Sequence, residues 1–238
     1  MLRLLVGTLL CTLVLGSSVA LATPLMDFSP GKTAIDISFN PSSDTTQSNG
    51  DVKFDADKFA NYGVTVGLGN NFAFQYNNAN FKTKNWQDSD IEKYVNGRYK
   101  IKSQEFNLLY KVNKNLTAFS GINQAKQTIV YYDHRNILES AGSYSGDTKR
   151  NWQVGLTGQA EIGKNLSTYA TAATSKDFHY WKLGLGYALN KDLDLNVFYA
   201  KSKYKNLKFN SAFDRILPNI TSDVEVKGFG YGLTYRFN

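Results

Sequence analysis

The 238-residue chain is poor in cysteine, methionine, proline and histidine, with one, two, four and two of each. A lone cysteine, Cys11, makes no disulfide within the chain and no cysteine-based metal centre. Long apolar runs are also missing. A membrane helix needs about 20 consecutive apolar residues, and only residues 4–22 approach that. A multi-helix membrane protein is therefore excluded, in line with a mean hydropathy of −0.36. What the chain does have is aromatic: 15 Tyr and 15 Phe, alongside 19 Gly. Much Tyr, Phe and Gly with little Met favours strands and turns over packed helices. Two architectures fit, a soluble all-β domain and a membrane β-barrel, whose apolar residues are diluted by alternation with polar ones.

The first segment bears on the compartment. Arg3 precedes an apolar stretch over 4–16, then Ser17, Ser18, Val19 and the small-residue pattern Ala20-Leu21-Ala22. That layout predicts a secretory signal peptide over 1–22, cleaved before Thr23; the alternative is an uncleaved anchor helix. A lipoprotein is disfavoured, because Leu10 stands where a small residue would precede the lipidated Cys11. Removing 1–22 takes one positive charge, Arg3, from a formal net charge of +7, leaving a basic, cysteine-free domain over 23–238 at +6.

Four short turns share one form, an apolar residue, three turn formers and another apolar residue. They are Leu68-Gly69-Asn70-Asn71-Phe72, Val112-Asn113-Lys114-Asn115-Leu116, Ile162-Gly163-Lys164-Asn165-Leu166 and Leu189-Asn190-Lys191-Asp192-Leu193. Asn, Asp and Gly tolerate the left-handed backbone of three-residue hairpin loops. Apolar residues alternate in phase with these turns, as in Trp181, Leu183, Leu185, Tyr187 and Leu189, then Leu193, Leu195, Val197 and Tyr199. Period two over about ten residues is the signature of a strand with one apolar face. The turns cut the chain into 31–68, 72–112, 116–162, 166–189 and 193–237. Each piece holds two strands, which predicts ten. Four pieces carry long polar middles, at 40–57, 82–98, 133–150 and 205–223; the fourth piece closes tightly at Ser175-Lys176-Asp177. Short turns at one end and long loops at the other is the asymmetry of outer-membrane barrels. Residues 128–132 read as a hairpin rising above the membrane, with an extra strand pair as the alternative.

The chain ends Phe229-Gly230-Tyr231-Gly232-Leu233-Thr234-Tyr235-Arg236-Phe237-Asn238. Gly232, Tyr235 and Phe237 resemble the C-terminal assembly signal of bacterial outer-membrane proteins, with Gly230 and Asn238 as departures. Taken together, the mature chain resembles the small outer-membrane β-barrels of the porin-family group, which includes opacity-protein-like barrels. That resemblance implies an all-β, single closed antiparallel transmembrane barrel in the outer membrane of a Gram-negative-type bacterium. It also implies the outer-membrane assembly machinery as a partner. Members of such groups are variously pores, adhesins and structural barrels, so fold alone selects no activity.

The phase that puts Leu and Tyr outside puts Asp36, Gln75, Glu105, Asn107, Lys111, Gln153, Glu161, Lys182, Asp194, Asn196 and Arg236 on the lumen. Near-balanced charge there favours internal pairing over a ring of one sign. Lys111, Glu161, Asp194 and Arg236 are expected near the turn end as a rim network, and Glu105 and Lys182 are expected to approach each other across the lumen. Gly63, Gly67, Gly155, Gly184, Gly186, Gly230 and Gly232 also face inward, where they leave room for rings such as Phe119, Tyr169 and Phe198. Ten tilted strands enclose a narrow interior, so any pore would pass ions or very small solutes.

Lys100, Lys102, Lys126, Lys149, Arg150, Lys201, Lys203, Lys205 and Lys227 gather toward the long-loop ends. Phosphate-bearing lipid of the outer leaflet is the natural counter-charge; a solvated loop surface is the alternative. Nucleic acid is not expected as a partner, no cofactor or metal is implied, and a monomer is favoured. Asp88-Ser89-Asp90 and Asp177-Phe178-His179 resemble the Asp pair and Asp–His pair of omptins, ten-stranded outer-membrane proteases, in which a carboxylate-oriented His could activate water. The match stops at those tripeptides and the strand count. A narrow channel or structural barrel is the leading reading. A loop-mediated adhesin or ligand-binding barrel, drawing on Trp86, Tyr94, Tyr131, Tyr132, Tyr144 and Phe213, is second. The protease is a remote third.

Overall fold

A computed structural model describes residues 24–47, 52–55, 57, 59–84, 86–87, 95–133, 140–208 and 221–237. The expected leader, Asp88, Asp90, Tyr94, His134 and Phe213 lie outside the described residues. The strands are β1 (Thr33–Gln47), β2 (Val52–Asp55), β3 (Phe59–Gly69), β4 (Phe72–Lys82), β5 (Trp86–Gln87), β6 (Val95–Asn113) and β7 (Leu116–Asp133). They continue as β8 (Ser140–Ser145), β9 (Lys149–Gly163), β10 (Leu166–Thr174), β11 (Phe178–Ala188), β12 (Leu193–Lys208) and β13 (Thr221–Phe237). Ten of them form one antiparallel sheet in the order β6-β4-β3-β1-β13-β12-β11-β10-β9-β7, and β7 pairs back onto β6 to close a barrel. The other three extend long strands beyond the wall, β2 beside β1, β5 beside β6 and β8 beside β7. Residues 128–132 therefore belong to a hairpin of β7 with β8 and add no stave to the barrel.

All four short turns stand at one end, but they are stabilised in two ways. Gly69, Asn70 and Asn71 have φ of 87°, 51° and 68°, and Asn165 has 61°, the left-handed region that Gly and Asn enter most readily. The other two turns are held by side chains. The Asn113 Oδ1 accepts the Asn115 N–H at 2.8 Å, and the Asn190 Oδ1 accepts those of Asp192 and Leu193 at 2.8 and 3.0 Å. These are Asx turns.

The outward phase carries the apolar residues, including Leu108, Leu156, Leu185, Val197 and Tyr231, all exposed. Aromatic rings flank this belt. Trp181, Tyr199 and Phe229 stand together toward the loop end, with centroids 5.5 and 4.9 Å apart, and Tyr235 and Phe237 lie 4.7 Å apart at the turn end. Along β13 the apolar outward phase runs from Phe229 to Phe237, nine residues, which suffices for a tilted strand to cross a hydrocarbon core. Above Phe229 the pattern inverts: Lys227, Glu225 and Asp223 take the outward positions while Val226 and Val224 are buried inside. Strand β6 inverts likewise, with Lys100 and Lys102 outward and Tyr99 and Ile101 inside. The barrel is inside-out where lipid surrounds it and conventional where water does.

Inside the belt, three aromatic rings lie over glycines directly opposite on the next strand: Phe119 over Gly155, Tyr169 over Gly184 and Phe198 over Gly230. A β-carbon on those glycines would sit 2.2, 2.4 and 2.4 Å from the respective rings, well inside van der Waals contact. Gly184→Ala is expected to destabilise the barrel by about 1–3 kcal/mol through overpacking, and adding Tyr169→Ser should recover part of that loss. Reversible urea unfolding in lipid vesicles reads both changes; a Gly184→Ala barrel as stable as the natural one would contradict this packing.

Candidate functional site: a polar chamber between two constrictions

The strand phase brings polar side chains from all round the wall into one chamber of about 200 Å³, lined among others by Asp36, Gln75, Glu105, Asn107, Lys182 and Asn196. That volume holds roughly half a dozen waters. On one side β4, β6 and β9 supply a chain of amides. The Gln75 Oε1 accepts from Asn77 and Asn107 at 3.2 and 3.3 Å, and Gln153 donates to the Asn107 Oδ1 at 2.8 Å. Glu105 accepts from the amides of Asn77 and Gln153 at 3.5 and 3.4 Å. The link from β9 to β6 passes over Gly121 of β7, which lies opposite both Asn107 and Gln153. A β-carbon there would lie 2.4 Å from the Asn107 Oδ1. Sequence reasoning passed over Gly121; its place between two inward amides was the signal.

On the facing wall the Thr234 hydroxyl donates to the Asp36 Oδ1 at 2.5 Å and accepts from Asn196 at 2.9 Å. The Lys182 ammonium lies 4.6 Å from the Phe198 ring centroid and 5.3 Å from that of Tyr169. Glu105 and Lys182 line the same chamber, the carboxylate close enough to act on the ammonium's charge, but they form no ion pair. The carboxylate is taken up by amides and the ammonium by aromatic faces. Of the expected rim network, Arg236 and Asp194 are ion-paired, with Asp194 fully buried. Lys111 instead lies close enough to Asp27 to act on its charge, and Glu161 stands on β9 opposite Ser167.

Among the described residues both ends of the chamber are narrowed, by elements the sequence reading did not anticipate. At the turn end the segment before β1 folds into the mouth, burying Leu25, Met26 and Phe28. It is fastened by backbone bonds, Gly69 N–H to the Phe28 carbonyl at 2.8 Å and Gly67 N–H to that of Lys32 at 2.7 Å, and by the Thr117 hydroxyl against the Met26 sulfur at 3.3 Å. A β-carbon on Gly67 would lie 2.3 Å from the Ser29 carbonyl oxygen, so this approach needs glycine. The Asp27 carboxyl is held below its ordinary value by hydrogen bonds from the Ser29 hydroxyl and N–H.

At the loop end an apolar septum crosses the lumen. Phe59 and Phe81 of β3 and β4 are 4.8 Å apart, Phe81 lies 6.2 Å from Tyr204 of β12, and Tyr204 lies 5.0 Å from Phe178 of β11. Beside it Gln127 of β7 joins three strands. It receives the Tyr99 and Ser222 hydroxyls, the latter at 2.8 Å, and donates to the Leu207 carbonyl at 3.1 Å.

The residues that resemble a protease pair are otherwise engaged. Asp177 pairs with Lys149 at 2.9 Å and accepts from Asn206 at 2.8 Å, while the His179 Nδ1 meets the Thr174 hydroxyl at 3.0 Å. No group of three metal-ligating side chains occurs among the described residues. Partial burial raises the Asp177 pKa, but the hydrogen bonds from Lys149 and Asn206 outweigh it, holding the carboxyl below its ordinary 3.8. A depressed folded value means that this clamp contributes fully above pH 3.8 and is lost as pH falls through the lowered value. Hydrogen exchange of the 175–178 turn is expected to be flat with pH, after correction for intrinsic rates, until strongly acid conditions and then to rise. A rise already near neutrality would contradict the clamp.

No family model and no curated protein matches the sequence. Solved structures do. The outer membrane protease OmpT from Escherichia coli overlays with a TM-score of 0.55 at 13% identity, covering 90% of this chain and 99% of that one. The translocator domain of the autotransporter NalP from Neisseria meningitidis gives 0.52 at 11% identity, covering 97% and 93%. Ail, the attachment invasion locus protein of Yersinia pestis, gives 0.46 at 12% identity, covering 87% and 99%. At such identities the likeness is one of fold. The chain has the fold of the small outer-membrane β-barrels, a closed ten-stranded antiparallel barrel.

Proposed function

We propose that the protein is a structural outer-membrane barrel whose lumen is closed at rest. The observation that carries this reading is the septum, in which side chains from opposite walls meet at aromatic contact distance. A wide diffusion porin needs a broad aqueous path, and Phe81 and Tyr204 meeting across the lumen argue against one. One observation favours a gated narrow channel as the second reading: Asp36, Glu105 and Lys182 face a chamber that a solid barrel would fill with apolar packing. Planar-bilayer recordings decide between them. A structural barrel gives no current steps under any natural condition, whereas a gated channel gives steps when voltage or pH shifts the closures.

The remaining features accord with a non-enzymatic barrel. Asp177 serves as a clamp for Lys149, and among the described residues no carboxylate orients His179 as a general base would need. The protein would reside in the outer membrane after loss of residues 1–22. Gly232, Tyr235 and Phe237 of β13 would present the signal to the assembly machinery. Every stave pairs on both sides, so a monomer leaves no open edge to protect.

A further inference from the structure

One basic surface stands apart from the lumen. Lys82 of β4, Lys100 and Lys102 of β6, Lys126 of β7 and Arg150 of β9 all lie on the outward phase of four neighbouring strands. The register sets Lys82 directly opposite Lys100 and Lys102 directly opposite Lys126, with Arg150 opposite Gln124 on the next strand pair. Residues facing each other across an antiparallel pair are about 5 Å apart at Cβ, and like charges there are destabilising. Two such pairs in one patch call for anions between them, yet none of the five cations is ion-paired with a described carboxylate. The far side of the barrel shows the ordinary remedy. Lys201 also lies opposite Lys227, and there Glu225 pairs with Lys201 at 2.7 Å. Directly below the five cations the same strands present Tyr76, Phe106, Ile122 and Trp152 to the lipid, the last of them 75% exposed.

We propose that this face is a binding site for a phosphate-bearing lipid of the surrounding leaflet, its phosphates between Lys82, Lys100, Lys102, Lys126 and Arg150 and its acyl chains on the belt beneath. Position selects lipid over a soluble polyanion: the patch begins where the apolar belt ends, at the depth of lipid head groups.

The test uses the full purified chain in nanodiscs of zwitterionic phosphatidylcholine, with or without a bisphosphorylated glucosamine lipid. Retention of that lipid on the detergent-extracted barrel is read by native mass spectrometry. Replacing the five cations by Gln is expected to lower retention by about fivefold per charge removed, while Lys201→Gln with Lys227→Gln leaves it unchanged. Stability gives an independent readout. Lys102→Gln should stabilise the barrel or leave it unchanged in phosphatidylcholine, since it relieves repulsion, and destabilise it once the phosphorylated lipid is present. Equal retention by the five-Gln variant, the same stability change in both nanodiscs, or heparin or inorganic phosphate displacing the lipid at equal concentration would overturn the proposal.

Discussion

A variant lacking both closures is expected to give discrete current steps in planar bilayers, where the natural chain and each single variant give none. The two closures stand in series along the axis, so current needs both open. The turn-end closure is opened by Gly67→Val, which drives a side chain into the Ser29 carbonyl and evicts the segment that buries Leu25 and Phe28. The loop-end closure is opened by Phe81→Ser with Tyr204→Ser, which removes the rings that meet across the lumen. Retention of the folded barrel is checked by its mobility on unheated gels. The steps should be small, because ten staves enclose only a narrow lumen. Conduction by either single variant would show that the other element is no closure. Silence of the combined variant would leave the interior a structural core.

The second large effect is on stability. Arg236→Leu is expected to cost about 3–5 kcal/mol, because it leaves a buried carboxylate without its cation. The Asp194 side chain is 0% exposed and that of Arg236 only 15%. By contrast, breaking the Lys201–Glu225 pair, at 35% and 23% exposure, should cost no more than about 1 kcal/mol. Coupling Arg236→Leu with Asp194→Leu should recover most of the loss, since a buried ion pair and its apolar replacement are often close in energy. Urea unfolding in vesicles separates these cases; equal costs for the two broken pairs would show that burial does not set the energetics here.

Much of the barrel could be read along the chain because its determinants are local. A turn such as Leu189-Asn190-Lys191-Asp192-Leu193 and the alternation on either side of it lie within one short stretch, and together they set strand, face and register. Alternation also placed Phe119, Tyr169 and Phe198 on the face that carries Gly155, Gly184 and Gly230. What alternation cannot show is the far wall. Gln127 meets Leu207 and Ser222 across separations of 80 and 95 residues, and nothing local to either partner marks the meeting. The same limit hid the partners of Glu105 and Lys182: the phase put both on the lumen, but the nearer amides and rings won. Two local signals did exist. The inversion at Lys227-Gly228-Phe229 marks where β13 leaves the lipid, and Leu25, Met26 and Phe28 are unusually apolar for a tether leading into the first strand.

The rings seated over glycines also constrain how this sequence can drift. Any side chain on Gly184 meets the Tyr169 ring at once, and trimming Tyr169 alone opens a void in the wall, so neither position can change by itself without loss. The two must be exchanged together, or in an order that passes through a weakened barrel. The same holds for Phe198 with Gly230, whereas Gly155 is also fixed by backbone, since a β-carbon there would lie 2.5 Å from the Ala172 carbonyl oxygen. Among descendants of this chain, Tyr169 with Gly184 and Phe198 with Gly230 should travel as inherited couples.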